Sequence, residues 1–216
     1  MIAPPLWDIL QYLLLAARWT LLLSSIAFTC GGTLAVLLLL LRYARPRLGA
    51  RFVAFYIELL QGTPLLQQLF LVFFGLPLLG IEVSPILAAG VALTLYAGAF
   101  LAEIWRGCVD AIPRGQWEAS SALGLNFVYQ MRDVILPQAL RIAVPPTVGF
   151  LVQLLKATAL SSIVGFSELT KAGINVSNAT FQPFLVYGLV ALIYFSMCYP
   201  LTLCAGMLER KLNRSR

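Results

Sequence analysis

The residues able to do chemistry in this sequence are few, and most lie inside apolar runs. Glu58, Gln61, Leu65 and Gln68 recur at offsets of three, seven and ten, so on one continuous helix they share a face. Gln153 and Lys156 stand one turn apart in another apolar run, and Glu103 precedes Arg106 by three residues. In a membrane such a polar stripe must face protein or water, since a central charge against lipid costs about 2.5–3.5 kcal/mol on insertion scales. Pro64 lacks an amide and deprives the carbonyl of Leu60 of its usual helical partner, while Gly62 weakens the same turn. Counted at about 1.5 Å per residue from the ends of the runs, that break lies roughly 15–20 Å deep and Lys156 about 22 Å deep. These depths suit recognition of a zwitterion, with Glu58 and freed carbonyls for its ammonium and Lys156, helped by Gln153, for its carboxylate. The same residues admit structural roles: Lys156 neutralising an acid or bonding helix carbonyls, Glu58 bracing a dimer, the glutamines joining helices. Glu103 reads as the ion-pair partner of Arg106 at helical spacing, with an inner gate as the other reading.

Catalysis is poorly provided for. The chain has no histidine, the usual general base and metal ligand. Its four cysteines, Cys30, Cys108, Cys198 and Cys204, have no CxxC spacing and three lie in apolar runs, so neither a disulfide framework nor a metal site is expected. A phosphate-cradling G-x-x-x-x-G-K-[ST] loop is excluded because no Gly-Lys pair occurs. No cofactor is therefore expected on this chain. The net charge of +6 sits in short clusters between apolar runs and forms no basic, aromatic-interleaved face, which excludes nucleic acid as a partner.

The elements that must position these residues are membrane helices. Of 216 residues 60% are hydrophobic and 11% charged, a membrane composition. Measured against the roughly 20 residues needed to cross about 30 Å of hydrocarbon, the apolar runs give five spans, at about residues 19–41, 52–79, 85–105, 142–166 and 184–208. One domain is expected over 19–208, preceded by an N-terminal segment, 1–18, in which Trp7 to Ala17 reads as an interfacial amphipathic helix, and followed by a tail, 209–216. The first run is of full span length with no signal-peptide frame. Arginines at 42, 45, 47 and 51, those around the loop at about 110–137, and those of the tail lie in connections that, alternating along the chain, share one side of the membrane, whereas the opposite loops carry only Lys171. The positive-inside rule then sets the N-terminus outside and the C-terminus in the cytoplasm.

One cytoplasmic stretch, "EASSALGLNFVYQMRDVILP" from Glu118 to Pro137, has the marks of two short helices with a joint. Ala119, Ser120, Ser121 and Ala122 make a small-residue surface, Gly124 suits a C-terminal position with positive φ, Asn126 can cap the next helix, and Pro137 marks a break before the fourth span. This loop resembles that of ABC importer permeases, in which Glu-Ala-Ala, three residues, Gly, nine residues and Ile-x-Leu-Pro recur. Glu118-Ala119-Ser120, Gly124 and Val134-Ile135-Leu136-Pro137 match at that spacing, with Ser120 and Val134 as mild departures. The stretches "ELLQGTPLLQQLF", "AEIWRGCVDAIPRGQWEAS", "VQLLKATAL" and "SELT" extend the resemblance to the polar amino-acid uptake subfamily over most of Thr20 to Leu208.

The resemblance implies an all-α type I importer fold of five transmembrane helices in a bacterial inner membrane. It implies pairing with a second copy or a paralogous permease, two ATPase subunits that carry ATP and Mg, and a periplasmic binding protein that delivers a polar amino acid. It assigns Glu118, Ala119, Ser120, Gly124, Leu136 and Pro137 to a coupling-helix pair that transmits ATPase closure to the spans. The sequence departs from the subfamily at Gln61, usually arginine, at Ala157, usually aspartate, and at Ala159, usually serine. The missing charges read either as a compensated pair or as a changed ligand preference. Two other classes compete. A small ion-coupled secondary transporter would use Glu58 and Glu103 but usually carries inverted repeats, and a membrane scaffold would leave the intramembrane polar residues without purpose.

Overall fold

The structure, a computed structural model, describes residues 5–214, so sequence readings on residues 1–4 and 215–216 lie outside the described residues. Among them there are helices and no strand. Four helical stretches are long and apolar enough to cross a membrane, namely Leu6–Ala44, Pro85–Asp110, Phe127–Ser162 and Pro183–Leu212, and a bent pair makes a fifth. The five-span, all-α expectation holds.

Helix α1 (Leu6–Ala44) has 39 residues, a length of roughly 58 Å at the rise of an α-helix. The expected division between an interfacial segment ending at residue 18 and a span starting at Trp19 is absent, because nothing in "LLLAARWTLLL" breaks a helix. The early turns are packed on the bundle: Ile9, Leu13, Ala16 and Ala17 are buried against Leu169 and Ala172 of α9 (Leu169–Thr180) and Val190 and Ile193 of α10 (Pro183–Arg214). Helix α10 likewise runs through Pro200 and through most of the expected tail.

The core of the bundle is α1 on α5 (Pro85–Asp110). Between lipid-exposed helices apolar surface gives no driving force, so close backbone approach through small residues does the work. Helix α5 buries Ala88, Ala89, Ala92, Ala97, Ala99 and Ala102. Opposite them on α1, a Cβ added at Gly31 would come within 2.5 Å of the Ala97 Cβ, and on α5 itself one at Gly98 would come within 2.7 Å of Leu34 of α1. Leu154 and Phe150 of α8 (Leu136–Ala157) complete this core with Val53 and Ile57 of α2 (Leu48–Gly62).

The second span is broken where the sequence reading places it. Helix α2 ends at Gly62, Thr63 and Pro64 are extended, and α3 (Leu65–Phe70) resumes at a bend of 101°. A π-helical turn, Leu71–Gly75, joins α3 to α4 (Leu76–Leu78). The fourth span differs from expectation. Helix α6 (Arg114–Ala122) is separate, but α7 (Phe127–Tyr129) continues through a π-helical turn, Gln130–Ile135, into α8 and on through a 3-10 turn to Ser162. Pro137 therefore breaks nothing. The wider turn shifts the hydrogen-bond register, so that the Leu136 N–H donates to Met131, five residues back, and the amide that Pro137 lacks falls in the first turn of the resumed α-helix.

Candidate functional site

The loop at one end of the bundle is built as two capped helices. At the end of α6, Gly124 takes φ +74°. The Gly124 N–H donates to Ser121 (2.9 Å) and the Leu125 N–H to Ser120 (3.2 Å), the paired bonds of a Schellman motif. Asn126 Oδ1 then accepts from the Val128 and Tyr129 N–H groups at 3.1 and 3.2 Å, an N-cap for the next helix. Both readings of the joint, positive φ at Gly124 and a cap at Asn126, are met. A side chain that the sequence reading missed holds it: buried Gln130 donates from Nε2 to Ser121 Oγ (2.8 Å) and to the Leu125 carbonyl (2.9 Å). A glutamine in a polar loop carries no signal for such a role.

The other loop residues divide by exposure. Glu118 and Ala119 face outward, as do Ser121, Ala122 and Leu123, the last 80% exposed. Ser120 is buried and donates to the Trp117 carbonyl at 2.9 Å. Ile135 is fully buried, with Leu136 and Pro137 exposed beside it. Within this chain a Cβ at Gly124 would meet nothing within 4 Å, so its backbone angle, and not space, is what excludes other residues. Gln138 ties α8 to α6 by reaching Gln116 Oε1 at 3.3 Å.

Inside the bundle the polar stripe is not a stripe. The 101° bend separates Glu58 and Gln61 from Leu65 and Gln68. Nor is the Leu60 carbonyl free to receive a ligand. Gln68, 8% exposed, folds back and donates from Nε2 to Leu60 O (2.7 Å), Thr63 O (3.1 Å) and Thr63 Oγ1 (3.0 Å). Gln68 thus closes the break that Pro64 opens, and its Oε1 is buried without a hydrogen-bond partner among the described residues. Glu58, Gln61 and Lys156 are exposed on this chain and make no side-chain hydrogen bond or ion pair among the described residues, so the structure does not pair Glu58 with Lys156. Gln153 donates instead to the Tyr96 hydroxyl of α5 at 3.1 Å. Ala157, where the resemblance expects aspartate, packs on the apolar core beside Leu65.

Glu103 is held by Arg106 through both carboxylate oxygens, at 2.9 and 2.5 Å, and the same guanidinium takes Asp110. The predicted pairing at helical spacing is present.

A second missed residue is Glu168, the acid of "SELT". It is fully buried and caps α9, accepting from the Thr170 and Lys171 N–H groups, both at 2.9 Å. The Tyr194 hydroxyl of α10 donates to it at 2.9 Å and the Thr20 hydroxyl of α1 at 3.4 Å. Burial raises its carboxyl above the ordinary range, while the bonds from Thr170, Lys171 and Tyr194 pull it down. The signal was present in sequence as an acid at the start of a helix, but nothing local says that it is buried. Among the described residues no group of three metal-ligating side chains occurs, and the four cysteines are free.

Residues 28–214 match the family described as binding-protein-dependent transport system inner membrane component. The chain is 34% identical over 200 residues to the probable amino-acid ABC transporter permease protein YckA of Bacillus subtilis, covering 93% of this chain and 88% of the relative. It is 32% identical to the L-cystine transport system permease protein TcyB of the same organism, covering 96% and 92%. Among solved structures, a chain of an amino acid ABC transporter crystallised with histidines superposes with a TM-score of 0.89 at 31% identity, covering 93% and 94%.

Proposed function

Since this chain belongs to the family of inner membrane components of binding-protein-dependent transport systems, we propose that it is the permease of an ATP-driven importer whose cargo is a polar amino acid. Hydrolysis of ATP lies with a partner subunit. The observation that carries the reading is mechanical. The exposed joint is capped on both sides of Gly124, and its second helix continues without a break for 36 residues, Phe127–Ser162. That is a rod of roughly 54 Å, with Lys156 near its far end. Pressure on Glu118, Ala119 and the small residues beside them moves the whole span, and Ser120, Gly124, Leu136 and Pro137 keep the joint in shape.

Glu58, Gln61 and Lys156 stand exposed on helices that cross an apolar medium, where an unpaired charge needs a polar neighbour. In our reading that neighbour is the cargo or the second permease. One relative is named for cystine and a similar structure was crystallised with histidines, and what these amino acids share is an ammonium and a carboxylate. Gln153 and Gln68 serve as braces beside the path, and Glu103 as a structural ion-pair partner. The working assembly has two permeases, alike or paralogous, two ATPases holding ATP and Mg, and an external binding protein. The N-terminus is outside and the joint and C-terminus are cytoplasmic.

Co-purification and reconstitution test this reading. An ATPase subunit should remain with the chain in mild detergent, and vesicles should accumulate amino acid only with ATP and binding protein supplied. Uptake driven by a proton or sodium gradient without ATP would overturn it in favour of a secondary transporter.

A further inference from the structure

A cavity of about 420 Å³ opens where α1 turns into α2, lined by Arg42, Tyr43, Pro46, Ala50 and Phe127. Arg45, Arg47 and Arg51 surround the same turn. Glu103 lies within electrostatic reach of Arg42, but its carboxylate oxygens are hydrogen-bonded by Arg106, which also holds Asp110. Among the described residues Arg42, Arg45, Arg47 and Arg51 make no ion pair and no side-chain hydrogen bond. Arg42 is half-buried and lines the cavity with none of its donors committed to a hydrogen bond among the described residues. From this turn α2 carries an outward apolar face: Leu48, Phe52, Phe55 and Leu59 are 75, 56, 63 and 49% exposed at spacings of four, three and four. That face lies opposite buried Val53, Ile57 and Leu60.

We propose that the turn between α1 and α2 binds an anionic phospholipid, its phosphate in the Arg42 cavity and against Arg45 and Arg47, its acyl chains along Phe52, Phe55 and Leu59. Charge complementarity selects the headgroup: four cations stand at the end of a membrane helix with no free acid among them. The adjoining apolar face selects a lipid over free phosphate, since phosphate has nothing to place there. Through the cavity the lipid also touches the coupling joint, because the Tyr43 and Phe127 rings stand 6.1 Å apart across it. This inference rests on the chain crossing a membrane and not on the identity of the cargo.

Native mass spectrometry of the permease–ATPase complex, released from phosphatidylcholine nanodiscs containing phosphatidylglycerol, is the test. Phosphatidylglycerol should be retained in preference to phosphatidylcholine. Replacing Arg42, Arg45 and Arg47 together by Gln should weaken retention roughly a hundredfold at low ionic strength, and replacing them by Lys should largely preserve it. Should the Gln variant fail to assemble, Arg42→Gln alone decides the point, with an expected weakening of about fivefold. Equal retention by native and Gln proteins, or equal retention of the two lipids, overturns the proposal. If inorganic phosphate displaces the lipid while Phe52→Ala and Phe55→Ala leave retention unchanged, the site is one for free phosphate and the lipid assignment falls. Lipid bound only after the ATPase is stripped away assigns the arginines to subunit docking, and also overturns it.

Discussion

Gln68 carries the structural consequence of a proline four residues away. Its amide nitrogen replaces the backbone donor that Pro64 lacks, so the bend is closed by a side chain. Gln68→Leu keeps the volume but leaves the Leu60 and Thr63 carbonyls unsatisfied, a loss of roughly 1–3 kcal/mol, read as a lower thermal midpoint of the purified complex. An unchanged midpoint would mean that water or another group satisfies the bend. Glu168 predicts a pH dependence. Its raised carboxyl holds a proton in the native state to higher pH than in the unfolded chain. Stability therefore falls as pH rises from the ordinary carboxylate range through the raised value, by at most about 1.4 kcal/mol per pH unit. Thermal midpoints measured across that range should slope downward for the native protein more steeply than for Glu168→Gln. Parallel slopes would reject the assignment.

At the scale of elements, two prolines are absorbed by a wider turn, one of them Pro137, which reads as a break in sequence. Pro77 and Pro137 each follow a π-helical turn, Leu71–Gly75 and Gln130–Ile135. The π turn before Pro137 makes α7 continuous with the fourth span, which leaves Gly124 at the connection between that continuous helix and α6. Because a Cβ at Gly124 meets nothing within 4 Å, its φ of +74° is the constraint within this chain. Gly124→Val should cost roughly 1–2 kcal/mol at the joint, while Gly124→Asn, which tolerates that conformation, should cost less. Both variants should insert normally, with ATPase co-purification and uptake reduced by valine and largely kept by asparagine. Equal loss in both would place the constraint in the docked partner and not in the backbone.

For the whole molecule, the proposed topology rests on where the arginines lie, and the fold supplies positions at which to test it. Ser177 is buried, but Asn178 beside it is exposed, as is Arg210 near the other end of α10. Single cysteines at these two positions, in a variant lacking the native cysteines, should react with an impermeant reagent from opposite sides of the membrane; labelling of both from one side would reject the assigned orientation. The number of spans, the spacing of the loop motif, the joint at Gly124 and the pairing of Glu103 with Arg106 were legible in the sequence, because each depends on residues within a few positions of one another. The fate of every lost or buried polar bond was not. Pro64 and Pro137 present the same chemical defect in sequence, a missing amide. One becomes a 101° bend stapled by Gln68, the other a π turn within a continuous rod. Glu168 reads locally as an ordinary helix-start acid, and its burial depends on Thr20 and Tyr194, 148 and 26 residues away. Local sequence fixes which backbone groups lose their partners, and only the packing of distant helices decides what replaces them, because the replacing donors arrive from other turns and other spans.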